Sequence, residues 1–392
     1  MKKLLVLGAG IYQVPLIKTA QKMGVYTIVT SIPGNYPGFS LADKVYYENT
    51  VDADAILEIA KNENIDGIVT TGTDVAIPTL GKVCDAMGLK GLSFEAANLS
   101  SNKKLMKEAY EKFGVRTAKF REISVDDLDY VDKLSGLEFP LIFKAVDSSG
   151  SRGITRVDSC DEFEAARKCV LDNTKSDYFL VEEFIEGEEF GAQAFVQDGK
   201  VEFILPHGDY IYTGNTGVPI GHYAPYDLPD SVIADCKETL EAAIKAMKLD
   251  NCAINADFIL KDGKTYVLEI GGRSGATCLA ELVSIYFGFN YYEKIVQVAL
   301  GEHADFSSNE KNPNASHLLM AKQDGVISQQ IDKNLSSPNL VEIQFDYEVG
   351  DEVKKFEIGP HRIGHVITRG KTLAEAESEL EKALANISIQ SS

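Results

Sequence analysis

The sequence predicts an α/β layer, then an α+β region, then a small β-rich end. Three observations predict this. Strand and helix signals alternate as far as Met87, antiparallel hairpin signals dominate from about Asn98, and short strands with one charged helix fill the chain from about Pro313.

The first strand is Lys3–Leu7, an apolar run that ends in Gly8-Ala9-Gly10. It falls short of the ~20 residues that span a bilayer. It also enters a glycine turn, so it reads as a buried strand and not as a signal peptide. Tyr12–Met23 carries helical periodicity and stops at Gly24. Val25–Thr30 is a second strand, followed by turn formers from Ile32 to Gly38. A strand at Lys44–Tyr47, a helix at Ala53–Asn62, a strand at Gly67–Thr71 and a helix at Ala76–Met87 continue the alternation. Parallel strands need crossover helices, so alternation implies a parallel sheet covered on both faces. Right-handed crossovers make it a doubly wound, Rossmann-like layer, assigned to residues 1–98.

The texture then changes. Ser100-Ser101-Asn102 caps a helix from Lys103 to Phe113, which stops at Gly114. Strands follow at Thr117–Phe120, Leu141–Ala145 and Ile154–Val157, with a Ser/Gly loop from Ser148 to Gly153 between the last two. A helix covers Cys160–Leu171. Tyr178–Phe184 is a strand running into an acidic stretch, and Gly191–Gln197 and Lys200–Leu205 are further strands. After a Gly/Pro-rich loop from Gly208 to Gly221, Ser231–Met247 is an amphipathic helix. The closing part holds short strands and the helix Thr372–Asn386 and reads as a cap. Residues 99–312 form the second unit, with 118–184 as a lid-like subdomain, and residues 313–392 form the third.

Composition narrows the function. Hydrophobic residues are 44% and charged residues 25%, which suits a globular and not a disordered chain. The formal net charge of −20 repels phosphate backbones, so nucleic acid is not an expected partner, nor is a membrane. The six cysteines form no CxxC pair and have no histidine at metal-ligand spacing. They read as reduced thiols of a cytoplasmic protein.

Gly8-Ala9-Gly10-Ile11-Tyr12-Gln13 imitates a dinucleotide fingerprint but carries Gln13 where the third glycine belongs. Val29-Thr30-Ser31 also lacks the acid that binds an adenosine ribose. A nicotinamide-dependent dehydrogenase is therefore the disfavoured alternative. Ser148, Ser149, Gly150, Ser151 and Gly153, with Lys144 at the base, form a loop whose backbone N–H groups and hydroxyls suit an anion. No GK[ST] follows, so it is not a Walker loop; an ordinary hairpin loop fits it equally well. The strand end Val181–Ile185 offers backbone groups in an apolar slot for an adenine, and Glu189 offers a carboxylate for a ribose diol; a solvated strand edge is the plain alternative.

The strongest constellation is the hairpin Ala253–Leu260 and Thr265–Ile270 around Asp262-Gly263. A two-residue turn would put Asp257 and Glu269 on opposite faces. An odd loop, most simply a three-residue turn with a glycine bulge, puts them on one face together with Asn255. The other face would be Ile254, Ala256, Phe258, Leu268 and Ile270. Two carboxylates projecting together need a positive partner. Mg²⁺ (or Mn²⁺) suits them, and a salt bridge to Arg273 is the alternative.

In order and spacing, Lys103, Lys144, the Ser/Gly loop, Glu182–Glu189, Asp257, Glu269 and Arg273 resemble the ATP-grasp superfamily. The likeness spans nearly the whole chain and points to the branch with biotin carboxylase, glycinamide ribonucleotide synthetase and the L-amino-acid ligases. It implies an ATP-grasp fold in the middle of the chain and ATP with magnesium as cofactors. It implies Lys103, with Lys104 adjacent, and Lys144 as phosphate lysines. Glu182 is then the acid beside the adenine, with Glu183, Phe184 and Ile185 along the same slot, and Glu189 is the ribose acid. Asp257 and Glu269 are the metal acids. Arg273 and Ser274 face the substrate or its acyl phosphate, and His207 and His222 border the acceptor pocket. One departure is Gly271, where many relatives have an asparagine ligand. The implied activity is a carboxylate–amine ligase that makes an acyl phosphate and releases ADP and phosphate. A purine-pathway ligase resembling glycinamide ribonucleotide synthetase is the alternative within the class. Dimers are frequent in this branch, so a homodimer is the assembly the resemblance allows.

Overall fold

A computed structural model describes residues 1–147, 153–213 and 217–392. The chain begins with a parallel sheet of β1 (Lys3–Leu7), β2 (Tyr26–Ser31), β3 (Lys44–Tyr47) and β4 (Gly67–Val69), in the order β3-β2-β1-β4. Leu4 and Val6 pack with Leu16, Ile17 and Val296 on one side, while Leu5 and Leu7 pack with Ile56, Ala60 and Ile77 on the other. This two-sided burial is why β1 reads as an unbroken apolar run. Helices Val14–Lys22, Ala53–Glu63 and Ile77–Met87 supply the cover. Asp52 caps the second of them by accepting from the Ala55 N–H.

A second, antiparallel sheet holds β5 (Phe120–Ser124), β6 (Leu141–Lys144), β7 (Ile154–Val157) and β8 (Tyr178–Glu183), ordered β5-β8-β6-β7. Its own core includes Ile123, Tyr130, Phe143, Phe163 and Phe179. β5 begins at Phe120, three residues later than Thr117, where sequence reasoning starts it.

The site is built on the third sheet. It contains β9 (Glu188–Gln197), β10 (Lys200–Ile211), β11 (Pro219–Ala224), β12 (Cys252–Lys261), β13 (Lys264–Gly271) and β14 (Asn314–Met320). Beyond these come β15 (Gly325–Asp332), β16 (Leu340–Phe345), β17 (Glu352–Val353), β18 (Arg362–Arg369) and β19 (Ile387–Ser391). The order β13-β12-β9-β10-β11-β14-β18-β16 makes one eight-stranded sheet, with β17-β15-β19 as a small one beside it. The closing strands are thus not all a separate cap, because β14, β16 and β18 extend the central sheet. The stretch expected as a loop from Gly208 to Gly221 is largely strand as well: Gly208–Ile211 pairs with Pro219–Tyr223.

Ala192, Ala194, Ile254, Ala256 and Phe258 turn to one side of the central sheet and pack under the helix Asp230–Ala246. The other side carries Glu189, Gln193, Asn255 and Asp257. Glu269 joins them by a route that differs from the expected odd loop. The turn is the two-residue Asp262-Gly263, both at positive φ (50° and 71°), and Lys261 pairs Lys264 across it. Regular pairing from such a turn would send Glu269 to the core side. The ladder instead slips between Asp257 and Phe258: Phe258 pairs Val267, Asp257 pairs Glu269, and Leu268 is the extra residue of a bulge. Val267 therefore takes the core place assigned to Leu268, and Leu268 packs with Ile185 and Ile259 on the other side.

Of the described helices of eight residues or more, three carry no sequence expectation: Phe94–Ser101, Leu279–Phe287 and Tyr291–Ala299. Apolar residues crowd the second of them almost all round, which erases the polar face that periodicity needs. The last one locks the parallel sheet to the rest of the chain. A Cβ at Gly67 would lie 2.2 Å from the Ala299 carbonyl oxygen. Gly67→Ala should cost about 1–3 kcal/mol by overpacking this contact, measured by chemical denaturation.

Candidate active site

Asp257 and Glu269 face each other across the bulged hairpin, at the ~4.5–5.5 Å Cβ spacing of directly opposed residues. Burial, then Glu269, Asp209 and Glu189, push the Asp257 carboxyl up to about 7, with Arg273 opposing them. The nearest cation is Lys103, whose Nζ stands 3.4 Å from Glu269 Oε1. Lys103 is held there by the first turn of the helix Lys103–Phe113, where Asn102 caps by accepting from the Leu105 N–H. The adjacent Lys104 turns away to Glu122 (2.6 Å) and the Tyr178 ring. Lys103 is therefore the lysine of the pair that faces the acids.

Lys144 ends β6 and contacts Glu182 Oε1 at 2.8 Å. Glu182 also meets Lys107 at 3.2 Å, and Lys107 donates to Thr117 Oγ1 at 2.8 Å. Lys107 is 1% exposed and Glu182 4%, so this is a buried triad of one acid between two amines. Burial works against the Glu182 carboxylate, but Lys107 and Lys144 outweigh it and hold the group down to about 2. Burial also lowers Lys107 and opposes Lys144, yet Glu182 and Glu269 keep Lys144 above its ordinary value. Lys107 carries no expectation from sequence reasoning. The signal for it was its i+4 relation to Lys103 on the same helix.

The expected nucleotide slot lies at the end of β8. The Glu183 N–H donates to the Lys119 carbonyl and the Phe184 N–H to the Pro140 carbonyl, both as extensions of the sheet. Among the described residues the Ile185 N–H has no backbone acceptor. Ala118, Ile185 and Ile259 form an apolar patch with Tyr266 and Leu268 beside that group, which is the surface an aromatic base needs. Glu189 stands exposed on β9 opposite Ile259 at the rim of the patch, while Glu188 is bonded to Tyr226. Ser148, Ser149, Gly150 and Ser151 lie outside the described residues. Gly153, at φ +68°, accepts from the Ala145 N–H and closes the base of that loop.

Arg273 does not pair with Asp257 or Glu269. Its Nε and Nη2 meet Asp74 at 2.7 and 2.6 Å, a two-point contact with the loop after β4. Asp74 also takes the space beside Gly271: a Cβ there would lie 3.0 Å from Asp74 Oδ1. The neighbouring Ser274 is buried, and its Oγ has no partner among the described residues. At the amino-terminal turn, Gln13 is buried and donates to the Thr71 carbonyl; a Cβ at Gly8 would strike its amide. The third-glycine position of a dinucleotide site is thus filled by a pinned amide. In the carboxyl-terminal part, Arg362 pairs with Asp346 and faces the Tyr12 ring, and His365 meets Glu342.

His207 and His222 sit on paired strands, β10 and β11, and not at the edges of a loop. Both place Nδ1 on the same oxygen of Asp209, at 3.1 and 2.6 Å. Burial pushes His207 below its ordinary value in spite of Asp209, and Asp209 is held far below the carboxylate range by the two imidazoles against its burial.

An ATP-grasp domain profile matches residues 137–281 and an L-amino acid ligase C-terminal domain 2 profile matches residues 317–392. The crystal structure of phosphoribosylglycinamide synthetase from Anaerococcus prevotii superposes with a TM-score of 0.88 at 37% identity, covering 100% of both chains. This chain belongs to the ATP-grasp superfamily. Among other relatives, a formate-dependent phosphoribosylglycinamide formyltransferase of Methanocella arvoryzae is 25% identical, over 99% of this chain and 92% of that protein. An alanine–anticapsin ligase of Bacillus subtilis is 24% identical, over 68% of this chain and 62% of that protein. The chain is an ATP-dependent ligase that forms C–N bonds. No described helix is long and apolar enough to cross a membrane.

The residues fit the metal this family uses. Asp257 and Glu269 form a hard oxygen donor set with one lysine near, and the strain on the Asp257 charge is what a divalent ion would relieve. In metal-free protein, Asp257→Asn should raise Tm at pH 8. The raised carboxyl costs stability fully above about 7, and the cost fades as pH falls toward its ordinary 3.8. Magnesium with ADP should then stabilise the native protein more than the variant, measured by thermal shift. Glu182→Gln should cost about 3–5 kcal/mol, because it leaves two buried amines facing each other. The deficit should shrink as pH drops below the ordinary 4.5 and vanish near 2, since the native carboxylate is lost there.

Proposed function

We propose that this ligase phosphorylates a small carboxylate at its oxygen and passes the acyl group to an amine, with α-amino acids as the substrate class. The observation that carries this is the opposed pair Asp257 and Glu269, with Lys103 beside them, on the open side of the central sheet. A carboxylate is a poor electrophile because oxide would have to leave. An acyl phosphate has phosphate as its leaving group. That transfer needs positioning and charge neutralisation more than covalent help.

Each residue then has a task. Asp257 and Glu269 would hold magnesium, which supplies charge neutralisation at the phosphate oxygens when bound. Lys103 and Lys144 hold phosphate oxygens, and Lys107 keeps Glu182 ionised beside Lys144. The Ile185 N–H and the Leu268–Ile259 patch seat the adenine, and Glu189 takes the ribose hydroxyls. Arg273, oriented by Asp74, holds the carboxylate and then the charge of its tetrahedral adduct. The profile match at residues 317–392 and the alanine–anticapsin ligase relative support amino acids as substrates. The six unpaired cysteines support a reducing, cytoplasmic setting.

A second reading, phosphoribosylamine with glycine, is favoured by the relative at 37% identity. Such an amine needs a cation for its own phosphate. Arg273 is already given to the carboxylate, and Arg362 is paired with Asp346, which weighs against it.

ADP release across the twenty L-amino acids, alone and in pairs, with product masses read out, decides between the two. The main reading expects a dipeptide or another amide; glycine with phosphoribosylamine as the sole productive pair supports the second. Glu269→Gln and Lys103→Ala should each lower product formation by about 10²–10³-fold or more at saturating substrate. Unchanged ADP release in Glu269→Gln would remove the metal assignment.

A further inference from the structure

The amine half of the reaction needs a base, because an amine at neutral pH arrives as an ammonium ion and cannot attack until it loses a proton. The phosphate-handling set is already committed: Lys103, Lys144 and Arg273 are given to phosphate and carboxylate oxygens, and Asp257 and Glu269 face the metal.

The open side of the sheet offers one other cluster. Asp257 on β12, Gly191 on β9 and His207 on β10 form a line across three strands. Two strand spacings put His207 about 10 Å from Asp257, and His222, on the next strand, stands roughly 15 Å away, room for a phosphoryl group, an acyl carbon and the amine. Gly191 makes room for the imidazole: a Cβ there would lie 2.2 Å from His207 Cε1. Asp209, two residues along the same strand, pairs with His222 on β11.

The hydrogen bonds set the protonation states. The Gly275 N–H donates to Gln193 Oε1 at 2.9 Å, which fixes the amide so that its Nε2 faces outward. That Nε2 donates to Asn255 Oδ1 at 2.6 Å and lies 3.4 Å from His207 Nε2. An amide donor at Nε2 requires the lone pair there, so the His207 proton sits on Nδ1, toward Asp209. His222 meets the same Asp209 oxygen through its own Nδ1, at 2.6 Å. In the neutral ring, Nε2 then carries the lone pair. That atom has no partner among the described residues, on a side chain 4% exposed. The 2.6 and 3.1 Å contacts are bonds shared through protons; ligands of one tetrahedral metal at about 2.0–2.2 Å would stand further apart.

We propose that His222, oriented by Asp209 and His207, is the base that takes the proton of the incoming amine. One N–H bond of the ammonium breaks, and its proton goes to His222 Nε2. The freed nitrogen pair forms the C–N bond at the acyl carbon. The C–O bond to phosphate breaks, and the second amine proton leaves with the phosphate. His222 then returns its proton to solvent. Asp209 is a positioning residue: it keeps the imidazole in the tautomer with its lone pair at Nε2.

This inference rests on the ligase reading, and hydroxylamine separates the two. Hydroxylamine is largely unprotonated at neutral pH, so it traps an acyl phosphate as hydroxamate without a base. The experiment compares hydroxamate and amide formation for the native protein, His222→Gln and Asp209→Asn, using the productive L-amino acid pair from the substrate screen. A general base contributes roughly 10²–10⁴-fold. The expected result is a fall of about that size in the amide-to-hydroxamate ratio for His222→Gln, and a smaller fall of the same sign for Asp209→Asn. A ratio equal to the native one in His222→Gln overturns the proposal, and so does loss of both products. Native protein that gives no hydroxamate with any amino acid overturns the ligase reading itself, and the base assignment with it.

Discussion

Two carboxylates that face each other on one side of a β ribbon constrain everything around them. Asp257 and Glu269 repel, and burial makes the repulsion expensive. The fold relieves it only in part. Arg273, the nearest arginine, is committed to Asp74, and Lys103 reaches only Glu269. The pair is thus left poised for an outside cation, while the rest of the sheet holds it rigidly in place. Rigid elements are where such a pair must stand, since small displacements in a phosphoryl-transfer site are costly.

Opposite the acids stands the reverse arrangement, one carboxylate between two amines. Glu182 holds Lys107 and Lys144 together inside the protein and keeps Lys144 charged, so positive potential is present before any phosphate arrives. This answers how a chain of net charge −20 can bind a polyanion. The acidic surplus is spread over the surface, where water and salt screen it. The cations that matter are few, local and partly withdrawn from solvent. Three secondary elements converge to build the site: the capped helix bearing Lys103 and Lys107, the strand ending in Lys144, and the bulged hairpin.

Much of this was legible in the amino acids. The strands β1, β3 and β7 and the helix from Lys103 to Phe113 lie where alternation, capping residues and glycine stops place them. The hairpin shows where legibility ends. Its purpose, both acids on one side, follows from the residues; the device does not, because a bulge at Leu268 and an odd turn give the same result by parity. Lys107 was hidden because a lysine on a helix ordinarily reads as a solvated face, and its burial depends on Glu182 from a distant strand. Asp74 was hidden for the same reason, since 199 residues separate it from Arg273. The strands β14, β16 and β18 look like a small separate unit in sequence because pairing partners cannot be read locally; only the register with β11 shows that they continue the main sheet.

The central claim is that the Asp257 and Glu269 carboxylates together hold the divalent ion that accompanies the nucleotide. A crystal of the protein with Mn²⁺ and ADP, examined by anomalous scattering, tests it most directly. The account predicts a manganese peak in contact with oxygens of both side chains. A peak held by other residues, or none where ADP is bound in the cleft, would contradict it.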